Sequence, residues 1–394
     1  MALDNSESQG ACKVLSNCVP GPDGLEGGAV MSHPRDHHYA AAGVDSMKAE
    51  EGLSRLRTWI EKTFSLNPAA RPHLPLGYFA NIIRLDGLNI GIAISTDGVG
   101  TKLLVAEQMS KYDTVGIDCI AMNVNDLLCV GATPISFVDY VAVEELEPTV
   151  LEKIGEGLFR GAEMARISIA GGEIAQIREM LRGIRPGSGF DLAGTAIGTV
   201  PLDRVIIGET VHPGDVVIGL ASSGIHSNGL TLARRILLHD SKLTVDSYLQ
   251  EFGRTVGEEL LEPTRIYVPE VTAMFAAGLR IKALVHLTGD GFLNLARTAA
   301  PIGYQIETLP PTPPIFSVLQ EVGKLSDAEM FQVYNMGVGF CVVVEDADAS
   351  RVMQIAAEHN IQSWRLGRTI ASSERTITIE PRRLRSHEQR FVSF

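Results

Sequence analysis

Strands alternating with amphipathic helices through both halves of the chain predict an α/β (α+β) protein of two domains, divided near residue 205. Three observations carry this. The 394 residues exceed one ordinary domain, taken at ~150 residues each. Apolar periodicity switches repeatedly between helical and strand spacing. A turn at His212-Pro213-Gly214-Asp215 separates two stretches that each read strand, helix, strand.

Residues 1–38, rich in Gly, Ser, Asp and Pro and without periodicity, read as a flexible extension. Met31 offers a second start, and His33, His37 and His38 sit in this solvated stretch with no further ligand at a suitable spacing. Residues 47–64 read as a helix with Leu53, Leu56 and Ile60 on one face. After Pro68, Pro72 and Pro75, residues 90–95 form a short apolar strand. Residues 113–130 are helical, with Ile117, Ile120, Ala121, Val124 and Leu128 as the apolar stripe, and Gly131 and Pro134 end them. Residues 135–143 read as a buried strand, and 150–165 as a helix with Pro148 suited to its first turn. Strands at 167–170 and 192–200 complete a βαβ-type first half. In the second half, 216–220, 340–344 and 376–379 read as strands, and 230–238, 265–277 and 351–359 as helices. The run PPTPP at 310–314 is a stiff connector, and 382–394 a C-terminal tail.

Composition excludes several classes of function. At 45% apolar and 21% charged residues, the chain is not disordered. With 34 basic and 47 acidic residues, its net charge of −13 argues against a nucleic-acid surface. No apolar run approaches the ~18 residues that cross a bilayer, and the start MALDNSESQG has no basic, apolar signal. Cys12, Cys18, Cys119, Cys129 and Cys341 are odd in number and contain no C-x-x-C pair, which fits a reducing compartment. A cytoplasmic location is the expectation. An acidic chain must meet an anionic ligand locally, through a metal ion, a glycine loop or a helix N-terminus.

Six segments can carry chemistry. Ser95-Thr96-Asp97-Gly98-Val99-Gly100-Thr101-Lys102 follows an apolar strand and reads either as an anion cradle or as a plain strand-to-helix turn. It is not a Walker A loop, because the lysine follows the threonine, nor G-x-G-x-x-G, because Leu103 takes the last glycine's place. Asn123-Val124-Asn125-Asp126 lies in a helix on which Asp118 and Asn125 share a face, so oxygen ligands for a hard cation can converge there. A solvated helix side gives the same pattern. Gly171-Gly172-Glu173 reads as a carboxylate freed at a strand end, and Asp139 and Asp191 are single acids in apolar stretches. Ser222-Ser223-Gly224-Ile225-His226-Ser227-Asn228-Gly229 joins a strand to a helix that Ser227 or Asn228 can cap. His226 is its candidate proton carrier, or else a brace within the turn. The loops His286–Gly291 and Asn335–Gly339 read as tight turns.

Taken in order, these segments resemble the aminoimidazole ribonucleotide synthetase (phosphoribosylformylglycinamidine cyclo-ligase) family of purine biosynthesis. The resemblance rests on AGVDS (42–46), STDGVGTK (95–102), YDTVGIDCIAMNVNDLLCVGATP (112–134), FVDY (137–140), GGE (171–173) and DLAGT (191–195). SSGIHSNGL (222–230), EPTRIYV (262–268), HLTGDGF (286–292) and NMGVGF (335–340) continue it, so it spans roughly residues 39–381. The resemblance implies an ATP-dependent, magnesium-requiring ligase acting on formylglycinamidine ribonucleotide as a homodimer. An N-terminal domain (39–205) would bind ATP and pair its strands across the dimer, with a C-terminal α/β domain (206–381) beside it. Carried over by motif, Asp97, Gly98, Gly100, Thr101, Lys102, Asn125, Asp126 and Glu173 bind ATP. Asp97, Asp126 and Glu173 hold Mg²⁺, and Lys102 contacts phosphate. Ser223, His226, Ser227 and Asn228 take the substrate, with His226 and Lys102 catalytic. The chain departs from the family pattern at Ile174 after the GGE motif, at Asp290 within a glycine loop, and in the segment 76–81. Another ATP-dependent enzyme of the superfamily, such as a thiamine-monophosphate kinase, and a non-catalytic paralogue are the alternatives.

Overall fold

A computed structural model describes residues 46–394. The extension at 1–38, its three histidines, and residues 42–45 of the AGVDS motif lie outside the described residues. Helix α1 (Ser46–Ile60) leads through a 3-10 turn (Glu61–Ser65) into the first sheet. Strands β1 (Ala70–Pro72), β2 (Asn81–Leu85) and β3 (Ile90–Gly98) are followed by helices α2 (Lys102–Met109) and α3 (Val115–Leu128). Then come β4 (Thr133–Val143), α4 (Pro148–Ala165), β5 (Ser168–Gln176) and β6 (Phe190–Pro201). The six strands stand in the order β1-β2-β3-β6-β4-β5, antiparallel except for β4 and β5, which α4 joins in parallel.

One face of this sheet is covered and the other is not. Along β3, Gly91, Ala93 and Ser95 are buried, and along β6 every second residue from Phe190 to Val200, while the residues that alternate with them are partly or fully exposed. Helix α3 packs on β3, β4 and β6, and α4 packs on α3. Their close crossing needs glycine: a Cβ on Gly116 would stand 2.2 Å from the Leu158 nitrogen, and one on Gly157 2.7 Å from the Asp113 carbonyl oxygen. Glu147 caps α4 by accepting from the Thr149 N–H, with Pro148 in the first turn as expected.

The second sheet draws on later residues. Strand β7 (Val216–Ala221) precedes α5 (Leu230–Arg234), the short pair β8 (Tyr248–Leu249) and β9 (Arg254–Thr255), and helices α6 (Val256–Leu260) and α7 (Val268–Ala276). Strands β10 (Ala283–His286) and β11 (Ile302–Ile306), helices α8 (Pro314–Gly323) and α9 (Asp327–Val333), strand β12 (Val338–Val344) and helix α10 (Asp346–Glu358) follow. Strands β13 (Ser363–Ala371), β14 (Ile377–Ile379), β15 (Leu384–His387) and β16 (Arg390–Ser393) end the chain. Eight of these strands form one sheet in the order β10-β12-β7-β13-β11-β14-β15-β16. Its centre is apolar throughout: all seven residues of β12 are buried. The two halves form one compact body.

Several expectations change here. Residues 171–173 lie inside β5, not beyond a strand end, because the edge position tolerates two glycines within the ladder. The helix expected at 230–238 is α5 followed by a π turn, Arg235–Asp240, and the one expected at 265–277 begins only at Val268. Pro314, read as connector, is the first residue of α8. Residues 382–394, read as a tail, carry the β15–β16 hairpin at the sheet edge.

The fold holds a costly charge on α7. Glu270, in the first turn of α7, is buried, and its Oε1 has no hydrogen-bond partner. Burial pushes its carboxyl up to about 7 from 4.5, against the pull of Arg265. The folded state therefore keeps a proton that the unfolded chain has lost, and stability falls as pH rises from about 4.5 to about 7. The full cost, about 3 kcal/mol at the upper end, stands above pH 7. Glu270→Gln should raise the urea midpoint at pH 8 and leave it nearly unchanged at pH 4.5. An equal gain at both pH values would show that ionisation is not the cause.

Candidate active site

Strand β3 delivers Asp97 to the rim of the first sheet, on the helix-covered side. Asn123 on α3 donates to the Asp97 carbonyl oxygen (3.2 Å), and the Gly98 N–H donates to Asp97 Oδ1 (2.7 Å). The backbone is thus held, and the Asp97 carboxyl lies within the electrostatic reach of Asp126 and His286. Burial raises the Asp97 carboxyl above the ordinary aspartate range, and the Asp126 charge adds to this. Asp126 Oδ1 meets His286 Nδ1 at 2.9 Å, and His286 Nε2, wholly buried, has no partner. Two carboxylates backed by an imidazole can hold a hard cation, with the imidazole orienting one of them. Gly100 turns the chain with φ +73°, and Thr101 Oγ1 meets Thr231 Oγ1 of the second half at 2.9 Å.

Helix α3 does not gather its polar residues onto one ligand. Asn125 spends its amide on the second half, donating to the Arg265 carbonyl and accepting from the Tyr267 N–H at 3.0 Å. It is a structural bridge between segments, not an open ligand for ATP or metal. Asp118, a helical turn and more away, pairs with Lys102 at 2.7 Å, both side chains fully buried. Lys102 also donates to the Glu262 carbonyl. The expected phosphate contact is therefore corrected: its ammonium group is enclosed and occupied, because α2 turns it inward toward α3.

On the second half, β7 opens into the loop that carries His226. The Asn335 amide donates to the carbonyls of Gly224 (2.8 Å) and Ile225 (3.2 Å), and its Oδ1 accepts from Ser222 and the Gly337 N–H. His226 adopts φ +66°, unusual for a residue with a side chain. Its Nε2 accepts from the Ser223 N–H at 3.2 Å, so the ring proton belongs on Nδ1, which is buried without a partner. Burial, reinforced by His286, Lys102 and Arg265, holds its pKa well below that of an ordinary histidine. The ring is neutral near pH 7 and offers an N–H donor from Nδ1. Ser223 Oγ donates to the Pro263 carbonyl, Ser227 Oγ meets Thr264 Oγ1 at 3.1 Å, and Asn228 is half-buried beside Gly289.

Glu173 stands apart. On β5 it lies in register opposite Tyr140, so it faces the uncovered side of the sheet, away from Asp97 and Asp126. Among the described residues, no three His, Cys, Asp or Glu side chains are grouped closely enough to hold a metal ion, so Asp97 and Asp126 are not joined by Glu173 within this chain. His286 and Asn335 were read only as parts of tight turns, and no sequence signal singled them out. Asp290, the unusual acid, is matched by Arg297 at 2.7 Å on the surface.

Comparisons with known proteins bear on the family and the fold. Residues 79–200 match the model of the AIR synthase related protein, N-terminal domain, and residues 212–380 that of the C-terminal domain. A phosphoribosylformylglycinamidine cyclo-ligase of Methanothermobacter thermautotrophicus is 46% identical over 81% of this chain and 91% of its own length. One of Methanocaldococcus jannaschii is 44% identical over 85% of this chain and 93% of its own. Among solved structures, tt0281 of Thermus thermophilus superposes with a TM-score of 0.51 at 20% identity, covering 77% of this chain and 92% of that one. That likeness bears on the fold alone.

Proposed function

The chain belongs to the AIR synthase related family, and from that premise we propose that it closes the imidazole ring of formylglycinamidine ribonucleotide at the expense of ATP. The observation that carries the reading is identity of 46% running through 91% of a cyclo-ligase. In this reaction the formyl amide oxygen attacks the γ-phosphorus of ATP and releases ADP. An amidine nitrogen then attacks the activated carbon, the C–O bond breaks, and phosphate leaves. Two protons leave the substrate, one from the formyl amide nitrogen and one from the closing nitrogen; one of them ends on the departing phosphate and the other is released.

The residues fit a magnesium ion, which keeps several waters and usually binds one or two carboxylates together with phosphate oxygens. Asp97 and Asp126 would hold it, and when bound it neutralises triphosphate charge. The chain's own groups do the rest. The turn 97–101 binds the triphosphate end, and His286 orients Asp126 behind it. The loop 222–228 binds the ribonucleotide, and His226 Nδ1–H donates to the oxygen that gathers charge as phosphate departs. Purified protein with ATP, Mg²⁺ and the ribonucleotide should form 5-aminoimidazole ribonucleotide. ATP hydrolysis indifferent to the ribonucleotide would contradict the reading, and no hydrolysis at all would favour a non-catalytic protein.

The reading includes a homodimer. The uncovered sheet face carries Ile90, Val138 and Tyr140, 54%, 36% and 43% exposed, beside the open edge of β5 with Ile174. An apolar face next to an unpaired edge calls for a partner, and a second copy matches it by symmetry. Sedimentation should give a dimer at micromolar concentration; a monomer would contradict this. Among the described residues no helix is long and apolar enough to cross a membrane, and a purine-forming ligase of this kind belongs in the cytoplasm.

A further inference from the structure

The contacts of Asp118 tie the two ends of the site together. Its Oδ1 accepts from Lys102 Nζ (2.7 Å), the Thr264 N–H (2.8 Å), Thr264 Oγ1 (2.6 Å) and Ser227 Oγ (3.4 Å). Lys102 comes from the turn after β3, Asp118 from α3, and the other two from the second half. Lys102 donates again to the Glu262 carbonyl, and Ser223 Oγ holds the neighbouring Pro263 carbonyl. An unbroken chain of polar contacts thus runs from the Asp97 turn through 262–264 to both shoulders of His226.

Resting on the cyclo-ligase reading, we propose that the fully buried Lys102–Asp118 pair is a positioning clamp that fixes the His226 loop relative to the Asp97 turn. Three physical points favour it over a ligand role. Both side chains are fully enclosed, so neither meets bound phosphate. Asp118 Oδ2 is buried with no partner, an arrangement poorly suited to stability for its own sake. The chemistry brings together an ATP phosphorus and a formyl oxygen held by loops of different halves, and a misplacement of ~1 Å can cost ~10²-fold. Lys102 and Asp118 are positioning residues; they touch no reacting atom.

The test compares Lys102→Met, the pair Lys102→Met with Asp118→Asn, and Thr264→Val, each against the parent in ring closure and in calorimetric Mg-ATP binding. Lys102→Met strands a buried carboxylate and should lose ~10²-fold in kcat/KM for the ribonucleotide. Mg-ATP affinity should stay within about threefold. In the double variant the amide introduced by Asp118→Asn keeps an oxygen for Thr264 without the stranded charge, so kcat/KM should recover about tenfold over the single one. Thr264→Val buries no new charge and folds with the parent. It should lose about tenfold in kcat/KM with Mg-ATP affinity unchanged. A tenfold or greater loss of Mg-ATP affinity in Lys102→Met, unrelieved by Asp118→Asn, overturns the clamp and returns Lys102 to phosphate. Parental kcat/KM in Thr264→Val also overturns it. A parent that forms no aminoimidazole ribonucleotide overturns the cyclo-ligase reading first, and the clamp with it.

Discussion

Replacing His226 by asparagine should lower aminoimidazole ribonucleotide formation by ~10²-fold or more, the scale of a missing proton-handling group. The substitution isolates chemistry from loop structure. His226 sits at φ +66°, and asparagine is among the side chains best able to adopt that region. Its amide oxygen can also accept the Ser223 N–H that the ring nitrogen now accepts. Melting temperature and Mg-ATP affinity should therefore stay close to the parent. The ring is already neutral, because burial holds its pKa well below the ordinary histidine range. Activity should consequently show no loss, as pH rises through 6 to 8, that traces to this residue. A variant within about threefold of the parent at saturating substrate would assign His226 to bracing the loop.

Asp97→Asn should weaken Mg-ATP binding by at least tenfold, about 1.4 kcal/mol, while the fold survives. The change keeps the volume and an oxygen that can still accept the Gly98 N–H, but it removes a charged ligand. The parent's affinity should also depend on pH with a definite sign. Burial and the Asp126 charge raise the Asp97 carboxyl, so it takes up a proton at a higher pH than an ordinary aspartate. Mg-ATP affinity should fall as pH descends through that raised value, and the Asn variant should show a flatter profile. Unchanged calorimetric affinity in Asp97→Asn would remove Asp97 from the site.

How far the site could be read from sequence depended on the distance over which its contacts form. The turn after β3 and the loop after β7 carry their glycines locally and were legible, but the cap expected of Ser227 or Asn228 is not made: Gly229 stands at the N-cap of α5 and no side chain caps it. The fate of Lys102 was not, because Asp118 and the carbonyl of Glu262, 160 residues away, decide whether it points into the cleft or the core. The Asp126–His286 pair likewise joins residues 160 apart, and nothing in HLTGDGF marks its histidine. Helical spacing brought Asp118, Asn125 and Asp126 together on paper. In the folded chain each turns to a different partner in the second half. The glycine pair of GGE mimicked a strand end, and only the edge position of β5 explains why the ladder continues through it.

Ring closure by this route requires that the formyl amide oxygen be phosphorylated and then expelled. Substrate labelled with ¹⁸O at that oxygen tests it most directly. Turnover with ATP should place the label in inorganic phosphate, one labelled oxygen for each aminoimidazole ribonucleotide formed. Label appearing in water, with unlabelled phosphate, would contradict it.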